Sequence, residues 1–242
     1  MTDYLLAQWF LVSQTSWPIL LSVVGFVIGL WVYRRSGRSG RNTLLHPLLI
    51  GTPLIFIAMI TLQIDFESYY EGNGLLRWLL GPATVALAIP LAQQMHQVPA
   101  LFKPLFIALF LGGFFAALSA LLLGKLVALD QQVLLSLAAK SVTTPIALGL
   151  TQKLGGLTSL ITVAVLLTGI IGVLLAPMVF RRGKIDDDRW QGFILGVTAH
   201  AIGTAKAFEI SPRCGAFSTL GMGLNGIWTS VFLPLSVSFF LP

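Results

Sequence analysis

The sequence predicts an all-α polytopic membrane protein with about six to eight membrane segments. Two of these are expected to be broken or re-entrant helical hairpins related by an inverted repeat. Three observations predict this fold. Nearly uncharged apolar blocks recur along the chain, each long enough to cross a hydrocarbon core of about 30 Å as a helix. Arginines cluster directly after the first block. Two further apolar stretches are too short to span and are interrupted by polar residues. With 56% hydrophobic and 10% charged residues, the chain has far fewer charges than the roughly 25% of a soluble domain. Helices are the economical solution, because each satisfies its backbone polar groups within its own segment.

The first span is Pro18–Val32, and residues 1–16 either extend it or lie in the interface. Arg34, Arg35, Arg38 and Arg41 follow, which puts their loop inside by the positive-inside rule. The absence of Lys or Arg before residue 17 argues for a retained helix over a cleaved signal. Leu44–Leu62 leads outward to an acidic loop, Asp65–Asn73. Leu75–Leu91 returns inside near His96 and Lys103. Pro104–Leu123 leads out again to Lys125–Asp130.

Residues 131–153 break this rhythm. Val133–Ala139 and Ile146–Leu150 are short apolar arms around Lys140-Ser141-Val142-Thr143-Thr144-Pro145. A single crossing here would put Arg181, Arg182 and Lys184 outside after the next span, Leu157–Phe180. A hairpin that enters and turns back keeps them inside. The same pattern recurs at Trp190–Ala199, interrupted by His200-Ala201-Ile202-Gly203-Thr204-Ala205-Lys206 and returning near Pro212–Arg213. The last span is Phe217–Leu241. Residues 1–130 then form an N-terminal part for scaffolding or oligomerisation, and residues 131–242 a hairpin core. Irregular backbone at membrane depth survives only against protein or a watery cavity, so both tips should face a cavity.

The two broken stretches repeat at an offset of about 60 residues. Thr144-Pro145-Ile146-Ala147 aligns with Thr204-Ala205-Lys206-Ala207, and Gly155-Gly156-Leu157-Thr158-Ser159-Leu160 with Gly215-Ala216-Phe217-Ser218-Thr219-Leu220. With a small gap, Leu167-Thr168-Gly169-Ile170 matches Leu224-Asn225-Gly226-Ile227, and Pro177 matches Pro234. A hairpin plus one crossing helix has odd parity, so consecutive copies are inverted, as in many secondary transporters. A weaker third copy starts at Gly81-Pro82-Ala83-Thr84, where chance alignment of apolar helices explains the match equally well.

Lys140 and Lys206 fall at the two tips. A charge at the bilayer centre costs at least ~2.5–3.5 kcal/mol, so such residues face a cavity or a partner. All nine acidic residues sit in loops or near span ends, so no intramembrane carboxylate is expected beside them. Two such lysines imply an anionic guest; snorkelling to the interface is the alternative. Ser141, Thr143, Thr144 and Thr204 add hydroxyls, and Pro145 and Gly203 break the helix and free backbone N–H groups. Half-helix N-termini favour anions as well. His200 is either a proton-coupling switch or a neutral packing residue. Asn225 either polarises the cavity wall or packs helices beside Gly223 and Gly226. The net charge of +6 does not point to nucleic acid. No P-loop, GxSxG, HExxH or paired-carboxylate pattern suggests an enzyme, the three histidines are scattered, and Cys214 stands alone. No metal or other cofactor is expected.

At these residues the chain resembles the LrgB/CidB family of membrane proteins. The stretch from Lys140 to Ala147 looks like the family's first signature, Ala199 to Ala207 its second and Gly215-Ala216-Phe217-Ser218 its third. His46-Pro47-Leu48-Leu49 and Pro82 to Pro90 with His96-Gln97 resemble its N-terminal half. The chain departs from the family's Pro at Ala139, its Ser at Ala199 and its Arg at Lys206. The last change keeps the cation and loses the planar fork that grips a carboxylate. The resemblance implies a multi-pass bacterial inner-membrane protein and two functions. One is a carrier of small monocarboxylates such as glycolate, glycerate or pyruvate, like the plastidal glycolate/glycerate translocator, in which His200 is the candidate for coupling a proton. The other is an antiholin-like modulator of murein hydrolases that acts by oligomerising. It also implies a homo-oligomer or a small LrgA/CidA-like membrane partner; a structural subunit beside a transporting partner is the third reading.

Overall fold

A computed structural model describes residues 2–35, 45 and 47–240. The expectations for Arg38, Arg41, Leu44, His46 and Leu241 lie outside the described residues. Among the described residues there is no strand. Four helical stretches are long and apolar enough to cross a membrane: Ser16–Arg35, Gly74–Leu126, Thr158–Gly183 and Pro212–Val237. The chain divides into two compact units, residues 1–86 and 87–242.

The first unit holds α1 (Thr2–Arg35), α2 (Pro47–Thr61), α3 (Phe66–Gly72) and α4 (Gly74–Ala86). Residues 2–16 therefore extend the first helix. Gly25 and Gly51 let α1 and α2 touch backbone to backbone: a Cβ on Gly51 would lie 2.8 Å from Gly25 O. The acidic stretch 65–73, expected as a loop, coils into α3. Asp65 caps it by accepting from Ser68 N at 3.0 Å, and its Tyr69 hydroxyl reaches Ser22 Oγ of α1 at 2.6 Å. An N-terminal Asp satisfies an otherwise orphaned helix donor.

The second unit holds α5 (Ala88–Gln94), α6 (Val98–Leu126), α7 (Gln131–Ala138), α8 (Thr144–Leu154), α9 (Thr158–Gly183), α10 (Asp188–Ile210) and α11 (Pro212–Phe240). The third expected span, Leu75–Leu91, is thus shared between α4 and α5, which Leu87 separates. The final helix starts at Pro212, five residues before the expected Phe217. Along α6, Leu105, Leu109, Gly113, Ala117 and Leu121 form a buried stripe. Phe102, Phe106, Ile107, Leu111 and Phe115 on its other faces are exposed. One narrow buried stripe on an otherwise apolar helix suits lipid as the surrounding solvent.

The two broken stretches differ in form. The first is helix, irregular chain, helix: α7 ends at Ala138 and α8 begins at Thr144. In the second only His200 leaves helical geometry, at φ 42° and ψ −127°. That one residue suffices to turn the chain. A Cβ on Gly203 would overlap Leu195 O, although eight residues of straight helix would separate the two by ~12 Å. Ser211 Oγ then donates to Asp188 Oδ2 at 2.6 Å, so the second arm ends where the first begins.

Small residues let the first arm of α10 lie against α11. Cβ atoms on Gly192 and Gly196 would overlap the Cys214 and Ser218 carbonyl oxygens. Gly196→Val is expected to force the two backbones apart at an overpacking cost of about 1–3 kcal/mol. Gly223→Ala, with nothing within 4 Å of its Cβ, serves as control. Thermal unfolding in detergent compares the two; equal midpoints would refute the close packing.

Candidate functional site

The first break spans residues 139–143. Ser and Thr hydroxyls compete with the helical ladder, and Pro145 is tolerated only in the first turn of the new helix, where its missing N–H costs nothing. Thr143 is accordingly extended, with φ −64° and ψ 147°, and its side chain makes no capping bond. Lys140 Nζ donates to Ala116 O of α6 at 3.1 Å. Ser141 O accepts from Asn225 Nδ2 of α11 at 2.8 Å. Thr144 is half-buried at the start of α8 and Pro145 is exposed.

At the second break, His200 is buried and its backbone sits in a region that a non-glycine residue adopts at a cost of order 1–3 kcal/mol. Its Nε2 lies 3.0 Å from Val165 O of α9. A carbonyl only accepts, so Nε2 carries the hydrogen. Thr204 Oγ1 donates to His200 O at 2.9 Å and lies 2.9 Å from Ser218 Oγ of α11. Gly203 supplies the close approach of the two arms described above.

Lys206 corrects an expectation. It was expected to lack a carboxylate, yet its Nζ donates to Glu209 Oε2 at 2.8 Å. The reason is helical geometry: α10 runs on to Ile210, and residues three apart share a face. Lys140 and Lys206 therefore have different partners, a carbonyl of α6 and a carboxylate of α10.

Asn225 joins the two breaks. Its Nδ2 also donates to Val197 O, three residues before His200, at 3.1 Å. Besides packing on the long helix that follows it, each stretch also bonds the one that follows the other. The first break bonds α11, the helix after the second break; the second bonds α9, the helix after the first. The glycines of the matched Leu-x-Gly-Ile segments follow suit. A Cβ on Gly169 of α9 would lie 2.7 Å from Ile202 Cδ1, and one on Gly226 of α11 would lie 2.8 Å from Ile146 Cδ1.

Several partners carried no linear signal. Val165 and Ala116 act through backbone carbonyls, which every residue has. Ser218 belonged to a quoted motif without a role, and Gly192-x-x-x-Gly196 was legible as a close-packing pattern. At the base of α10, hydrogen bonds from Arg189 hold the Asp187 carboxyl below its usual range. Among the described residues no group of three or more His, Cys, Asp or Glu is placed to hold a metal ion.

The profile of the LrgB-like family matches residues 22–239. The uncharacterized protein YwbG of Bacillus subtilis is 35% identical over 91% of this chain and 96% of its own length. Two relatives are described as holin-like protein CidB. The one from Staphylococcus epidermidis is 28% identical over 92% of this chain and 95% of its own. The one from Staphylococcus aureus is 27% identical over 91% and 96%. No solved structure matches the chain.

Proposed function

The chain belongs to the LrgB-like family, and from that premise we propose that it is a carrier of small monocarboxylate anions in the bacterial inner membrane, working by alternating access. The observation that carries this reading is a pair of crossed bonds. Besides packing on its own following helix, each break bonds the long helix that follows the other: Ser141 to Asn225 of α11, and His200 to Val165 of α9. Reciprocal contacts of this kind suit two inverted copies that rock against each other around a central site. In this reading both breaks are re-entrant tips, as the return of Ser211 to Asp188 supports for the second.

Lys140 is the cation of the site. Its single hydrogen bond among the described residues leaves two N–H donors for a carboxylate. In this reading Ser141, Thr143 and Thr144 beside it line the path together with Gly203 and Thr204 of the second break, and Pro145 frees the start of α8. Lys206 contributes when its pairing with Glu209 opens. His200 couples a proton by taking one at Nδ1, which weakens its fit to the turn. Glycolate, glycerate and pyruvate are the guests implied by the family resemblance. A second copy of the chain or a small LrgA/CidA-like subunit is the expected partner.

The descriptions of the relatives favour the other reading. CidB proteins are called holin-like, so a role in membrane permeability and control of murein hydrolases, exerted by oligomerisation, has their support. That activity needs faces for self-association and no cation at the centre. The deciding experiment is uptake of labelled glycolate and pyruvate by proteoliposomes. Uptake stimulated by a pH gradient is expected. None, with or without the small partner and the gradient, would overturn the carrier and leave the holin-like role.

A further inference from the structure

Helix α9 buries one face and exposes the other. Ile161, Val165, Gly169, Val173, Ala176 and Phe180 are buried. Val163, Leu167, Ile171, Leu175 and Met178 are exposed, and their spacing of three or four residues sets them on one stripe. At 1.5 Å per residue the stripe runs about 22 Å from Val163 to Met178, most of a hydrocarbon core of about 30 Å. Arg181 and Arg182 come three and four residues after Met178. They therefore flank the foot of the stripe, and both are exposed. Lys184 follows, also exposed, where the helix ends on a left-handed residue at φ 51°.

Local partners at this end are already taken. Basic side chains at a helix C-terminus often meet its last carbonyls. Here the Phe180 and Arg181 carbonyls receive the backbone N–H groups of Ile185 and Lys184. Of the three carboxylates that follow, Asp187 is held by Arg189 at 3.0 Å and Asp188 by Ser211 at 2.6 Å. Among the described residues, Arg181, Arg182 and Lys184 make no ion pair. The foot of the stripe thus joins an excess of positive charge to an exposed apolar surface.

We propose that this face of α9 holds an anionic phospholipid. One leaflet fills about half of the hydrocarbon core, so the acyl chains lie along Ile171, Leu175 and Met178. The phosphate meets Arg181 and Arg182, whose planar forks match its paired oxygens. Lys184 sets the headgroup preference: a zwitterionic headgroup brings its own cation to this corner, and a net-negative one does not. Free phosphate offers the same oxygens without the chains, and the test separates the two. The inference is independent of the carrier reading, since a holin-like protein would hold the same lipid.

The experiment is native mass spectrometry of the purified full chain with phosphatidylglycerol or phosphatidylcholine of matched chains, with and without inorganic phosphate. Phosphatidylglycerol is expected to bind at least about tenfold more tightly, since each cation near a headgroup is worth about fivefold. The triple variant Arg181→Gln, Arg182→Gln, Lys184→Gln should bring the two lipids to within about twofold. Lys153→Gln, which removes an exposed cation from α8, should leave the preference as it was. Equal binding of the two lipids by the unaltered chain, or the same loss of preference in Lys153→Gln, overturns the proposal. Displacement of the lipid by phosphate at millimolar concentration also overturns it and assigns the cations to a soluble anion. Should the triple variant unfold, Arg182→Gln alone decides the matter. It should weaken phosphatidylglycerol about fivefold and leave phosphatidylcholine unchanged, and equal effects on both refute the site.

Discussion

If the chain is a carrier, Lys140→Ala is expected to lower uptake of a labelled monocarboxylate by about tenfold to a hundredfold and to leave the chain folded. The magnitude is that of a hydrogen bond to a charged group, ~1.5–3 kcal/mol. Folding is spared because the side chain's bond goes to Ala116 O, a carbonyl inside the continuous helix α6. Flux through proteoliposomes and the thermal midpoint in detergent read the two quantities separately. Lys140→Arg keeps the charge and should retain most of the flux. A protein that acts by assembling into oligomers tolerates the loss of this cation. Unchanged flux in Lys140→Ala would therefore move the balance to the holin-like role.

The second large effect is on stability. Asn225→Leu removes both donors that serve the breaks, leaving Ser141 O and Val197 O without them. Val197 sits in the last turn of the first arm of α10, where carbonyls have no intrahelical partner, and Ser141 is in irregular chain. The buried Val197 carbonyl loses a donor at about 1–3 kcal/mol and the partly buried Ser141 carbonyl at less, so the variant is expected to unfold roughly 1–5 kcal/mol more easily. Ser230→Ala on the same helix, whose hydroxyl bonds Gly226 O one turn back, should change stability by no more than ~0.5 kcal/mol. Matching melting curves for the two variants would mean that Asn225 does not hold the breaks together.

The division between sequence and structure follows the range of the forces involved. Apolar blocks are local, and so is the competition of Ser, Thr and Pro with the helix, so the long helices and the first break were legible. The second break was harder to read: residues 200–206 were expected to be irregular as a group, yet His200 alone leaves the helix. A backbone that folds back on itself needs Gly203 eight residues away from Leu195 in sequence, and no local preference reveals that contact. Asp65–Asn73 failed for the opposite reason, since acidic and tyrosine-rich composition concealed a capped helix.

By itself the sequence determined the all-helical membrane class, the positions of both broken stretches, the family resemblance and the residues Lys140, His200, Thr204 and Asn225 as candidates. Each follows from composition, spacing or motif along the chain. Only the tertiary structure decided what those residues touch. It gave Lys206 a carboxylate at Glu209, sent Lys140 to α6, and made Asn225 the bridge between breaks that lie 59 residues apart, from Ser141 to His200. It also set Arg181 and Arg182 at the foot of an exposed stripe of α9, which is visible only when the buried face of that helix is known. Hydrogen bonds are made to atoms, many of them backbone carbonyls common to every residue type, so partnership is settled by packing and not by residue identity.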